Sequence, residues 1–110
     1  MSDGGTPGTD RRLVAWLVVL TGPQKGADFR LYEGDNVIGS SPECDVVLID
    51  AMISPRHALI RCFSDYTSQI FDLGSATGTM LASQAVSHEE LIHCDRLGLG
   101  AVLLKFKSLY

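Results

Sequence analysis

Val37-Ile38-Gly39-Ser40-Ser41-Pro42-Glu43-Cys44-Asp45-Val46-Val47-Leu48 sets the pattern for the whole chain. An apolar pair runs into a glycine, a short polar stretch follows, and an apolar run resumes. Apolar runs of about four to eight residues, closed by turn residues, are what strands of a layered sheet need. Gly39–Glu43 therefore reads as a loop, and Asp45–Ile49 as a buried strand.

The same reading extends in both directions. Upstream, Leu13–Leu20 is dense in Leu and Val, Gly22–Gly26 is a turn, Phe29–Leu31 alternates, and Glu33–Asn36 is a second turn. Downstream, His57–Phe63 alternates, which puts Ala58, Ile60 and Cys62 on one face and in the core. Ser64–Thr67 turns, Gln69–Phe71 is a strand, Gly74–Gly78 is a glycine-rich loop and Thr79–Leu81 is a short strand. Leu97–Gly100 and Ala101–Phe106 close the chain, and Gly98 and Gly100 point to a bulge or a close backbone approach. Only Ser87–Cys94 has the character of a helical turn. The pattern predicts an all-β fold, a two-sheet sandwich or barrel over 13–110, preceded by a flexible lead-in over 1–12 of Gly, Thr, Ser and charge.

Composition narrows the function. The chain has 110 residues, 45% of them hydrophobic, enough for one domain with a single core. Nine Lys+Arg against thirteen Asp+Glu give a net charge of −4, which argues against a nucleic-acid binder and against docking on an anionic membrane. Leu13–Leu20 is far short of the roughly 20 apolar residues a membrane helix needs. Cys44, Cys62 and Cys94 are odd in number and contain no C-x-x-C, so free thiols and a reducing, cytoplasmic compartment are expected.

Catalytic and metal chemistry find weak support. His88-Glu89-Glu90-Leu91-Ile92-His93 resembles a zinc-protease helix, but its histidines are five apart where one metal-facing helical turn needs four. It reads as a polar surface loop. His57, Cys62, His93 and Cys94 have no close ligand spacing, so neither a metal nor a cofactor is expected. A small hydrolase using Cys44 or Ser54 with His57 is the alternative from another class, although no G-x-S-x-G elbow is present.

Four segments stand in a telling order: Val37–Leu48; Ile53-Ser54-Pro55-Arg56-His57-Ala58; Phe71-Asp72-Leu73-Gly74-Ser75-Ala76-Thr77-Gly78-Thr79; and Asp95-Arg96-Leu97-Gly98-Leu99-Gly100. Together they resemble the forkhead-associated (FHA) domain, from about Val14 to Phe106. The resemblance implies a sandwich of about eleven strands whose loops at one end receive a protein partner, in most members through phosphothreonine. A phosphate with nearly two negative charges needs a cation and convergent N–H and O–H donors, which loops on a rigid sandwich can supply.

By resemblance, the binding positions are Ser40, Ser41, Ser54, Arg56, Thr77 and Gly78, and the supports of the loops are Gly39, His57, Asp72 and Ser75. The departures are as informative. Ser40 replaces the family's arginine, Thr77 and Ala82 replace its asparagines, and Ala76 replaces a hydroxyl residue. Arg56 is the one nearby cation. The chain is also similar, over a shorter stretch, to the FHA-like cytoplasmic domain of type III secretion inner-membrane ring proteins, a scaffold reading that requires a membrane helix beyond residue 110. The expectation is a non-catalytic interaction module within a longer protein. It would bind a protein partner, phosphorylated or not, without nucleic acid and without direct membrane contact.

Overall fold

Period-two alternation carries directly into three dimensions. In the last long strand Val102, Leu104 and Phe106 are buried while Leu103 and Lys107 are exposed, the signature of a sheet with one face on a core. The computed structural model describes residues 11–109. In them eleven strands succeed one another: β1 (Leu13–Val19), β2 (Asp28–Tyr32), β3 (Gly34–Gly39), β4 (Val46–Val47), β5 (Ala58–Cys62), β6 (Ser68–Asp72), β7 (Thr79–Leu81), β8 (Gln84–Val86), β9 (His88–Leu91), β10 (Arg96–Leu99) and β11 (Val102–Ser108). No helix occurs among the described residues.

The strands form two sheets, one ordered β2-β1-β11-β10-β7-β8 and the other β4-β3-β5-β6-β9. All neighbours are antiparallel except β3 and β4. Leu17, Leu31, Leu97, Leu99, Leu104 and Phe106 from the first sheet face Ile38, Ile60 and Ile70 from the second. Ala58, Ile60 and Cys62 are all in this core, as their spacing implies. The all-β sandwich is thus the observed fold.

Three local readings are corrected. Asp45–Ile49 is not a continuous buried strand: only Val46–Val47 pair, and Ile49 lies beyond the strand end, exposed, with its N–H donated to Gln24 Oε1 of the β1–β2 turn at 2.8 Å instead of to a neighbouring strand. Glu33–Asn36 is no four-residue turn, since β3 already begins at Gly34 and Asn36 is buried in it. The Asn36 amide donates to Tyr32 O at 2.9 Å and Ile60 O at 3.1 Å, so this polar residue takes a strand position by satisfying its own side chain. Ser87–Cys94 is not a helical turn, and after Ser87 only its end beyond Leu91 is loop. Residues 88–91 form edge strand β9, whose exposed Glu89 and Glu90 suit a sheet border. Of the lead-in expected over 1–12, residues 1–10 lie outside the described ones. Arg12 is held by Tyr66 OH at 2.6 Å and Ser64 O at 2.8 Å, and Arg11 by Glu33 O at 2.7 Å.

Phe106 is 1% exposed and packs across the sandwich. Phe106→Ala is expected to cost about 3–5 kcal/mol in urea unfolding; a loss below about 1 kcal/mol would show that the core does not close around it.

Candidate functional site

Three connections converge at one end of the sandwich: β3–β4, β4–β5 and β6–β7. The first two meet at Gly39. A Cβ there would stand 2.0 Å from Pro55 O and 3.0 Å from Cys44 Sγ, so no larger residue fits. Ser40 N–H donates to Ser54 O at 3.1 Å, Ser41 N–H to Pro55 O at 3.2 Å, and the Cys44 thiol to Pro55 O at 3.0 Å. Burial raises the Cys44 pKa and so keeps the thiol a donor, against smaller opposing effects from its backbone bond to Ser41 and from Arg56.

His57, fully buried, joins all three connections. Its Nδ1 accepts the Ser54 N–H at 3.1 Å, so the ring proton resides on Nε2, which donates to Gly78 O at 2.7 Å. Its backbone N–H donates to Ile38 O at 2.8 Å, and its carbonyl accepts from Leu73 N–H at 3.0 Å. With both nitrogens committed to backbone, the ring has none to offer as a base to Cys44 or Ser54.

Asp72 shapes the third loop. Its carboxylate accepts the Ser75 hydroxyl at 2.6 Å, the Thr79 hydroxyl at 2.7 Å, and the N–H groups of Gly74 and Ser75 at 3.0 and 3.1 Å. Ser75 Oγ in turn accepts the Gly78 N–H at 2.9 Å. This wrapping forces Gly78 to φ +85°, a left-handed geometry suited to glycine. Partial burial works to raise the Asp72 pKa, but the hydrogen bonds from Ser75, Thr79 and Gly74 outweigh it and the net shift is downward.

The outer surface is more apolar than polar. Ser54 Oγ accepts the Ala76 N–H at 3.0 Å, and the Thr77 hydroxyl donates across to Met52 O of the β4–β5 loop at 2.9 Å. Beside them a shallow pocket of about 360 Å³ is lined by Met52, Ile53, Pro55 and Ala76, among others. Met52 is 53% exposed and Ile49 69%, so two large apolar side chains stand open on the same loop. Arg56 is exposed and joins no ion pair among the described residues.

The structure therefore gathers Gly39, Ser54, His57, Asp72, Ser75, Thr77 and Gly78 into one cluster. Ser40 and Ser41 contribute backbone N–H groups to loop–loop bonds, and Arg56 stands free beside them. Sequence reasoning missed Gln24, whose side chain holds Val47 O at 3.2 Å and Ile49 N–H at 2.8 Å, and also missed the Met52 carbonyl. A glutamine in a turn carries no signal of such a role. The exposed Ile49 and Met52 were legible only as apolar residues, and an apolar residue next to a strand reads as core.

A two-sheet sandwich with histidine-braced loops at one end defines a forkhead-associated domain. The model of a family described as the cytoplasmic domain of the inner membrane component of T3SS matches residues 18–109, and the chain belongs to that family. It is 36% identical over 90 residues to the oxoglutarate dehydrogenase inhibitor of Corynebacterium diphtheriae, covering 82% of this chain and 62% of that one. It is 34% identical to the glycogen accumulation regulator GarA of Mycolicibacterium smegmatis, covering 84% and 58%. The chain thus spans about three fifths of the length of these curated relatives. Among solved structures, the FHA domain of the CT664 protein from Chlamydia trachomatis superposes with a TM-score of 0.82 at 31% identity, covering 88% of this chain and 99% of that one.

Two outcomes test the cluster. Gly39→Ala must displace Pro55 or the β3–β4 loop, so the expected loss is about 2 kcal/mol or more in urea unfolding; an unchanged midpoint contradicts the close approach. The depressed Asp72 pKa contributes stability that is full above its unfolded value of roughly 3.9 and is lost as pH falls through the lower folded value. In an NMR acid titration the Ser75 and Gly78 amide signals should move in that acid window and lose the step in Asp72→Asn, whereas an identical titration in the variant contradicts this assignment.

Proposed function

We propose that the chain is a non-catalytic protein-recognition module, whose loop end docks a partner through apolar contacts around Met52 and Ile49, with phosphorylation contributing little. The carrying observation is that polar groups at the loop end are already engaged with one another: the Thr77 hydroxyl bonds Met52 O, the Ser40 and Ser41 N–H groups bond the neighbouring loop, and no arginine follows Gly39. A charge-assisted phosphate contact contributes about 1.5–3 kcal/mol, so losing the arginine at position 40 costs at least about tenfold in phosphate affinity. Ser54, Thr77 and Gly78 then act mainly to shape the docking surface, on the frame set by Gly39, His57, Asp72 and Ser75. The regulatory names of the relatives support an interaction role, and His57 has no free nitrogen for a nucleophile. A cytoplasmic setting agrees with three cysteines that form no disulfide.

A second reading, phosphothreonine recognition, is favoured by the unpaired Arg56 and by the Ser54 hydroxyl, which accepts from Ala76 and keeps its own proton for a ligand. A phosphothreonine peptide library and its unphosphorylated twin separate the two. The first reading predicts that the same members are retained from both and that Met52→Glu abolishes retention. Retention from the phosphorylated library alone, lost in Arg56→Ala, contradicts it and establishes the second.

A further inference from the structure

The outer face of the six-stranded sheet carries a charge pattern that folding does not explain. Register places Arg30, Trp16 and Lys107 in one row across β2, β1 and β11. The next row runs Asp28, Val18, Lys105 and Arg96 across β2, β1, β11 and β10. Directly opposite residues in a sheet share a face, so four of the nine Lys+Arg of this acidic chain stand together with a single carboxylate. Lys105 lies directly opposite Arg96, an arrangement that destabilises a sheet.

Three other cations of the chain are employed structurally: Arg11 and Arg12 tie down the β2–β3 and β5–β6 turns, and Arg61 pairs with Asp35 at 2.7 Å. Arg30, Arg96, Lys105 and Lys107 join no ion pair among the described residues. Beyond them the third row is apolar, with Leu103, Gly98 and Met80 side by side. Leu103 is 44% exposed, and Gly98, with no side chain, sits between it and Met80, and both their side chains come within 3.7 Å of where a Cβ on Gly98 would stand. A hollow of about 450 Å³ opens here, bordered by Arg96, and a second of about 360 Å³ lies beside Trp16 and Lys107.

We propose that this face is a second docking surface, separate from the loop end, for an acidic polypeptide segment that also carries apolar side chains. Its carboxylates meet the two rows of cations, and its apolar residues enter the hollow over Gly98 and the flank of Trp16. The like-charged pair Lys105–Arg96 is relieved when an anion lies across it, which makes the unfavourable register a device for binding. A formed hollow beside the cations favours inserted side chains over a flat lipid surface.

The test is an NMR titration of the isotope-labelled chain with a short synthetic peptide of Glu, Asp and Leu. Its Gln/Asn-substituted twin and phosphatidylserine–phosphatidylcholine vesicles are the other two arms. The expected result is movement of the Leu103–Lys107 amides and the Trp16 indole with the acidic peptide alone. Added salt should weaken the binding, and the double variant Lys105→Glu, Lys107→Glu should weaken it by about tenfold or more. Both side chains lie on the face away from the core, and a glutamate at position 105 would oppose Arg96, so the variant should unfold no more readily than the native chain, and Arg96→Gln provides a milder second variant. No movement on this face, equal binding of the uncharged twin, binding to vesicles without the peptide, or self-association that Lys105→Glu removes would each overturn the proposal.

Discussion

The arrangement at the loop end depends on one buried imidazole. His57 spans from the Ser54 N–H to the Gly78 carbonyl through its two ring nitrogens, and its own backbone reaches Ile38 and Leu73. Each such bond contributes only about 0.5–1.5 kcal/mol net. Removing the ring is costlier, because a backbone donor and a backbone acceptor would then be stranded near the core. The ring must also be neutral to serve, since a doubly protonated imidazole presents a second donor to the Ser54 N–H. Together with the Asp72 network, this brace explains how three irregular connections keep one shape.

From that brace the chemistry divides the surface. One polar group at a binding position is already engaged within the protein, the Thr77 hydroxyl with Met52 O, while Ser75 and Thr79 brace the loop through Asp72. The large exposed groups there are Met52, Ile49 and Arg56, beside the Ser54 hydroxyl. The six-stranded sheet shows the opposite allocation, with core-facing Leu and Phe on one side and unpaired cations on the other. On the two proposals above, loop end and sheet face meet partners of different chemistry, one chiefly apolar and one acidic.

How far the sequence revealed this follows from the kinds of force involved. Strand alternation is a local consequence of the pleat, so Ala58, Ile60 and Cys62 were placed correctly from spacing alone. Gly39, Ser54, His57 and Gly78 were legible because their motif positions imply mutual contact, and the structure does bring them together. The misread segments share a cause. Asn36, Ile49 and Glu89–Glu90 look like turn, core and loop by residue type, yet each is fixed by a distant partner: Ile60 O, Gln24 Oε1 and strand β6. The basic face was invisible for the same reason, since Arg30, Arg96, Lys105 and Lys107 are scattered along the chain and only sheet register assembles them. Net charge, read as a sum, concealed its segregation.

The most direct measurement is the nitrogen-15 spectrum of the His57 ring at neutral pH. The account predicts a single neutral tautomer, with the proton on Nε2 and a scalar coupling across the hydrogen bond to the Gly78 carbonyl. A proton on Nδ1, or rapid averaging between the two ring nitrogens, would mean that the imidazole does not tie the loops together.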